Sequence, residues 1–328
     1  MRCFVTGAAG FVGSTLVDHL IDLGHKVVGL DDFSTGQRRF LSQALASDSF
    51  TLIEADLLTE SRLDEALSGC DLVFHLAANA DVRYGADDPQ RDLRKNTLAT
   101  SLLLEAMRRA GVRRLAFAST ASVYGDAAQV PTPEDAPFPI QTSFYGASKL
   151  AAEALITAHA AAFDLQAFIF RCVSMVGPRY THGHVFDFFD QLARDPRQLT
   201  VLGNGLQRKS YLHVDDAVAA MLAAIARAEA RINILNVGHP ETLTVRESID
   251  IICARLGVSP LRHYGESERG WVGDAPLIAL DCTRLTRLGW QPRLSPSAGV
   301  MATVDYLSAN TDVVATRLAQ GRADRRPS

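Results

Sequence analysis

Short apolar runs alternate along this chain with longer stretches whose apolar residues recur at helical spacing, and that alternation sets the fold class. Residues 3–6 (Cys-Phe-Val-Thr) read as a strand, followed by a glycine-rich turn and a helix over 14–23 that Gly24 closes. Further strands are predicted over 26–30, 50–54, 72–75, 115–118 and 167–170, and helices over 61–68, 96–110 and 148–162. Strand and helix in alternation imply an α/β protein with a parallel, doubly wound sheet. Ligands of such sheets sit at the carboxyl ends of the strands. Here those ends carry Asp56-Leu57, His75-Leu76-Ala77-Ala78, Ser119-Thr120-Ala121-Ser122 and residues 171–174.

After Cys172 the pattern changes. Proline and glycine punctuate residues 176–180 and 203–205. A helix is predicted over 217–228, a strand over 232–237, and helix, irregular chain and helix from Thr244 onward. The pattern predicts a first domain over 1–173 to which 211–237 returns. A second, smaller α/β domain takes 174–210 and 238–320, and the basic tail 321–328 reads as disordered.

Composition narrows the classes. The 328 residues are 47% hydrophobic and 21% charged, enough apolar material for a sizeable core. A net charge of -4 argues against wholesale binding of nucleic acid or an anionic membrane. No apolar run is long enough to span a bilayer, and the strand at the start of the chain leaves no room for a signal peptide. Five scattered cysteines, with no Cys-x-x-Cys, suit a reduced, cytoplasmic protein without structural zinc.

Two features carry chemistry. Gly7, Gly10 and Gly13 fall between a strand and a helix, where glycines allow close backbone approach and the helix N-terminus offers N–H groups to a pyrophosphate. The next strand ends in Asp31-Asp32. An acid there suits ribose hydroxyls and repels a 2′-phosphate, so NAD is favoured over NADP despite Arg38 and Arg39 downstream. The second feature is Tyr145 and Lys149, four residues apart at the head of an alanine-rich helix and so on one face. A fixed ammonium beside a phenol favours the phenolate, which makes the pair a device for moving a proton. Solvated side chains on an exposed face are the bland alternative.

Taken in order, Gly7/Gly10/Gly13, Asp31, Asp56, His75-Leu76-Ala77-Ala78, Asn96, Ser119-Thr120, Tyr145/Lys149 and His213-Val214-Asp215-Asp216 resemble the extended short-chain dehydrogenase/reductase family of nucleotide-sugar enzymes. The resemblance runs to about Trp290 and is strongest to the UDP-glucose 4-epimerase branch, through residues 118–126 and 202–211. It implies a Rossmann-type first domain, bound NAD, a nucleotide-sugar substrate and a homodimer. The reaction it implies is inversion at C4 of a UDP-hexose through a transient 4-keto sugar.

By the same resemblance Tyr145 is the base, Lys149 its activator and Thr120 the partner of the oxidised hydroxyl, while Gly7, Gly10, Phe11 and Val12 line the pyrophosphate. Asp31, Asp32, Ser34 and Gly36 surround the adenosine ribose, and Asp56 and Leu57 meet the adenine. Ala77, Ala78, Asn96 and Ser119 complete the nicotinamide side. Arg83, Ser122, Ser174, Arg208, Lys209 and Arg269 fall on the substrate side. Ser174 stands where the family usually has Asn, and Lys209 where it has Arg, which keeps the charge but loses the bidentate fork.

Related dehydratases and decarboxylases place a carboxylate within the two positions after the threonine. This chain has Ala121 and Ser122, neither able to act as a carboxylate acid or base, so epimerisation is expected over elimination. Dehydratase or decarboxylase activity, a uronate or N-acetylhexosamine substrate, and a non-catalytic NAD sensor are the alternatives. His182 and His184 lack a completing ligand cluster, so no metal is expected. His75 reads as a hydrogen-bonded structural histidine, His213, Asp215 and Asp216 as fold-stabilising or capping groups, and Cys172 as core.

Overall fold

The computed structural model describes residues 1–79, 82, 85, 87–137 and 140–323. Seven strands form the main sheet: β1 (Arg2–Thr6), β2 (Lys26–Asp31), β3 (Phe50–Glu54), β4 (Leu72–His75), β5 (Arg114–Thr120), β6 (Gln166–Cys172) and β7 (Ile232–Val237). Their order is β7-β6-β5-β4-β1-β2-β3, and the pairs β1/β2, β2/β3, β1/β4 and β4/β5 are parallel. The chain changes direction across the sheet between β1 and β4, the switch point at which doubly wound sheets hold ligands. Cys3, Phe4 and Val5 of β1 and Leu72, Val73 and Phe74 of β4 are fully buried. Strands covered on both faces carry continuous apolar runs rather than alternating ones, and these were accordingly readable in the sequence.

Three helices matter for the site: α1 (Phe11–Asp22), α2 (Ala99–Ala110) and α3 (Phe144–Phe163). α1 begins three residues before its predicted start, so Gly13 is helical rather than part of the loop. α3 begins four residues early, which puts Tyr145 in its first turn. The predicted helix 96–110 is α2 preceded by a π-turn over Leu93–Leu98. Such wide turns are rare and gather at functional sites.

The chain divides into two compact units. The first holds Met1–Val123, Phe144–Arg171 and Val218–Leu235; the second holds Tyr124–Ser143, Cys172–Ala217 and Asn236–Ser328. Three boundaries differ from the sequence expectation, the simplest being that the helix Thr311–Ala323 runs three residues into the expected tail. Tyr124–Ser143 belongs to the second unit because a buried asparagine gathers it there. Asn236 accepts the Tyr124 hydroxyl at 2.7 Å, donates from Nδ2 to the Thr132 carbonyl at 2.8 Å, and donates its N–H to Glu134 at 2.9 Å. Residues 211–217 also stay in the second unit, because Tyr211–His213 pairs with Ser174–Val176 and not with the main sheet. Among the described residues the second unit otherwise holds two further small sheets and the helices His184–Arg194, Val245–Leu256, Thr283–Arg287, Pro296–Ala309 and Thr311–Ala323.

Candidate active site

The carboxyl end of β1 is shaped by close backbone contact. Gly7 has φ +70°, a conformation L side chains rarely adopt, and a Cβ there would lie 2.7 Å from the Ala77 nitrogen. A Cβ on Gly13 would collide with the Gly7 carbonyl. Gly10 is the N-cap of α1 and no side chain caps it, so the helix presents its dipole end through backbone at Phe11 and Val12. This cradle fits a dinucleotide pyrophosphate.

Ala77 is held from behind by His75. Thr100 donates its one hydroxyl proton to the Asn96 carbonyl, so it accepts from His75 Nε2–H at 2.9 Å. Nδ1 is then the acceptor for the Thr6 hydroxyl at 2.8 Å, and Thr6 Oγ1 in turn accepts the N–H groups of Leu76 and Ala77 at 3.2 and 3.1 Å. Burial, with the Lys149 charge adding to it, holds the imidazole neutral with a pKa lowered to about 3. His75 is thus the structural histidine expected, and it sets the loop that faces Gly7.

At the end of β2, buried Asp31 accepts N–H groups from Ala9 and Phe33, each at 2.8 Å. Burial pushes its carboxyl up while those N–H bonds pull it down. A Cβ on Gly36 would lie 2.7 Å from Asp31 Oδ1, so only a glycine lets the backbone pass this close to that carboxylate. Asp32 accepts from the Ser34 N–H at 2.9 Å and from its hydroxyl at 2.6 Å. Arg38, which might have argued for a 2′-phosphate, pairs with exposed Glu54 at 3.2 Å. Asp56 and buried Leu57 follow β3. The sequence reading missed Lys95, whose ammonium contacts both Asp32 (2.8 Å) and Asp56 (2.9 Å). No spacing rule signals a contact between the ends of two strands and a distant turn.

The other end of the site is organised by α3, on which Tyr145, Lys149 and Glu153 follow at one-turn intervals. Lys149 is 2% exposed, donates to the Ala118 carbonyl of β5 at 2.9 Å, and lies 4.6 Å from the Phe117 ring centroid. Glu153 was not singled out from the sequence. It is buried, takes a two-point ion pair from Arg171 (3.1 and 2.7 Å), and accepts the Ser119 hydroxyl. That proton is therefore committed, and Ser119 can offer a ligand only acceptor lone pairs. Thr120 ends β5; its Oγ1 accepts the Ser122 N–H at 3.1 Å and donates to the Ser122 hydroxyl at 3.2 Å. Asn96, from the π-turn, donates to the Ser148 hydroxyl at 2.9 Å and accepts the Asn79 N–H at 2.8 Å, tying α3 to the segment after β4 where Ala78 lies.

The charged residues assigned to a substrate in the second unit are already partnered there. Lys209 forms a buried ion pair with Asp274 and lies 4.6 Å from the Trp271 ring centroid. Arg269 meets Asp126 through both terminal nitrogens, at 3.0 and 2.9 Å, and donates to the Asp274 carbonyl at 2.6 Å. Arg208 is exposed and turned toward Thr242 and Glu247, and Ser174 is exposed. Arg83 lies outside the described residues. Asp126 and Asp274 were not legible as partners, because nothing local links them to Arg269 and Lys209. His184 bonds the Ser248 hydroxyl at 2.8 Å, and among the described residues no group of three His, Cys, Asp or Glu side chains is placed to hold a metal.

Comparison with known proteins gives concordant matches. The model of the NAD dependent epimerase/dehydratase family matches residues 3–238. A UDP-glucose 4-epimerase of Mycolicibacterium smegmatis is 36% identical, over 93% of this chain and 98% of its own. A crystal structure of a UDP-galactose 4-epimerase superposes with a TM-score of 0.84 at 38% identity, covering 94% of this chain and 99% of that one. A UDP-glucuronic acid 4-epimerase from Bacillus cereus, solved with UDP-glucuronic acid and NAD, gives 0.87 at 29% identity, covering 94% and 99%. The family match spans the glycine cradle, the Asp31 end and the Tyr145–Lys149 helix alike, and the chain belongs to the NAD-dependent epimerase/dehydratase family.

Proposed function

We propose that this protein is an NAD-retaining epimerase that inverts C4 of a UDP-hexose of the glucose/galactose type. The observation that carries the choice within the family is the pair of positions after Thr120. Ala121 is buried and Ser122 is hydrogen-bonded to Thr120, so no carboxylate stands there to drive elimination.

NAD, held by the Gly7–Gly13 cradle and the Asp31 end, would supply reversible hydride chemistry at C4 of the sugar. Tyr145 takes the C4 hydroxyl proton, and the Lys149 ammonium favours the phenolate that does so. Thr120 orients that hydroxyl. After the 4-keto sugar presents its other face, Tyr145 gives the proton back, so atoms and charge balance with no external oxidant. Glu153 and Arg171 hold Ser119 in place beneath this end of the site.

On the substrate side we assign Arg269 to the diphosphate, with the buried Lys209–Asp274 pair supporting it through the Asp274 carbonyl. Arg269 then exchanges the Asp126 carboxylate for phosphate, keeping bidentate geometry in both states. A homodimer through α3 is part of the same reading. Its buried face carries Ser148, Lys149 and Glu153, while Ala147, Ala151, Ala154, Ala158 and Ala161 line its exposed face, near exposed Leu98 and Leu102. No helix among the described residues is long and apolar enough to cross a membrane. The five scattered cysteines form no disulfide, and a reduced, cytoplasmic setting is part of the same reading.

The deciding experiment incubates the purified protein with UDP-galactose and no added NAD, and follows products by NMR. Appearance of UDP-glucose supports the proposal. Loss of water, or turnover only of a uronate or N-acetylhexosamine in a parallel panel, overturns it.

A further inference from the structure

The π-turn Leu93–Leu98 sends two consecutive side chains to opposite ends of the first unit's site. Asn96 goes inward to Ser148 of α3, and Lys95 goes to Asp32 and Asp56. Lys95 lies in the connection between β4 and β5, yet its partners follow β2 and β3, on the far side of β1 in the sheet. The bridge therefore ties the two sides of the switch point together at their carboxyl ends. β2 and β3 are already in register up to Asp31 and Glu54, so Asp32 and Asp56 leave adjacent strands side by side. With Asp31 they place three carboxylates where a dinucleotide, itself carrying a negative pyrophosphate, brings its adenosine. The ammonium is one-third exposed and stays protonated: burial pulls its pKa down, but the bonds to Asp32 and Asp56 raise it above the ordinary value.

We propose that Lys95 is a positioning residue for the dinucleotide, clamping Asp32 and Asp56 and offsetting their charge so that the adenosine half is held in place during turnover. This rests on the assignment of Asp31, Asp32 and Asp56 to the adenosine end. A partly exposed ion pair adds little to folding by itself, so the clamp should show in cofactor retention rather than in the stability of the free protein.

The test compares K95M, K95R and D31A with the wild type. It measures the NAD content of the purified protein, the NAD dissociation rate by stopped flow, and the melting temperature after NAD is stripped. K95M should release NAD at least about tenfold faster, a loss of about 1.4 kcal/mol in retention. Its stripped form should melt as the wild type does, and K95R should restore most of the retention. Raising salt should speed release from the wild type more than from K95M. The clamp is refuted if K95M keeps NAD as the wild type does, or if the stripped protein is destabilised while the NAD release rate stays the same. D31A separates the two levels: if it loosens NAD and K95M does not, only the clamp fails. If neither does, the adenosine assignment fails with it. Should K95M not fold, D56N opens one arm of the bridge and is read in the same way.

Discussion

Two lysines of this protein look alike by local measures. Lys149 and Lys209 are both buried, and each ammonium lies 4.6 Å from an aromatic ring centroid, Phe117 in one case and Trp271 in the other. They differ in what else they touch. Lys149 donates to the neutral carbonyl of Ala118, whereas Lys209 is paired with the buried carboxylate of Asp274. A carbonyl fixes an ammonium in space without cancelling its charge, which is what the proposed role of Lys149, favouring a phenolate one helical turn away, requires. A carboxylate cancels most of the field, and Lys209 with Asp274 behaves first as a structural pair. Equal burial thus hides two roles, and the partner atom separates them.

The comparison can be broken in several ways. Tyr145→Phe should lower kcat by about 10²–10⁴ while NAD stays bound, read by coupled assay and cofactor content; unaltered turnover would remove the tyrosine from the mechanism. Lys149→Met should come next, lowering kcat and moving the rising limb of the pH–rate profile to higher pH, because the phenolate loses its ammonium. Lys209→Met should act on the fold instead. Leaving Asp274 buried without its counter-charge costs about 3–5 kcal/mol in a urea titration, and a Lys209→Met, Asp274→Leu double variant should recover much of it. If the single change instead alters only kcat, the two lysines are not different in kind.

Smaller effects test the surroundings. His75 is neutral with its pKa lowered to about 3, below its unfolded value near 6.5. Between those values the unfolded chain binds a proton that the native protein does not, so stability falls as pH drops through this window. The slope from this group is up to about 1.4 kcal/mol per pH unit. His75→Gln should flatten that part of the profile in chemical denaturation at stepped pH. Least of all, Asp126→Asn should free Arg269 and lower the KM for the UDP-sugar by up to about fivefold, since an exposed pair is worth about 0.2–1 kcal/mol. A rise in KM would mean that Asp126 helps the substrate rather than competing with it.

Much of the first unit was legible because its signals are local. β3, β4 and β7 run over the residues read from the sequence, and β1, β2, β5 and β6 contain theirs and extend by one to three residues, because the covered central strands are continuous apolar runs. The glycine cradle was readable because φ +70° at Gly7 and the missing Cβ at Gly13 are demands that one residue type meets. Glu153 was within reach of the same logic. It and Lys149 are the only acid and lysine in α3, four residues apart, and both turn inward beside Ala152 and Ile156, while Ala151, Ala154 and Ala158 face out. A charged pair on the covered face is contrary to the usual polarity, and only knowledge of which face is covered reveals it.

What the sequence by itself determined is the backbone order and the chemistry that backbone order can state. That comprises strand, glycine turn and helix, an acid at the end of β2, Tyr145 and Lys149 on one face, and no carboxylate after Thr120. Tertiary structure alone decided the pairing of charges. Asp274 with Lys209, Asp126 with Arg269, Arg171 with Glu153 and Lys95 with both Asp32 and Asp56 join residues 18 to 143 positions apart. The physical reason is range. Backbone conformation answers to neighbours a few residues away, whereas a charge answers to whatever the folded chain brings within a few ångströms.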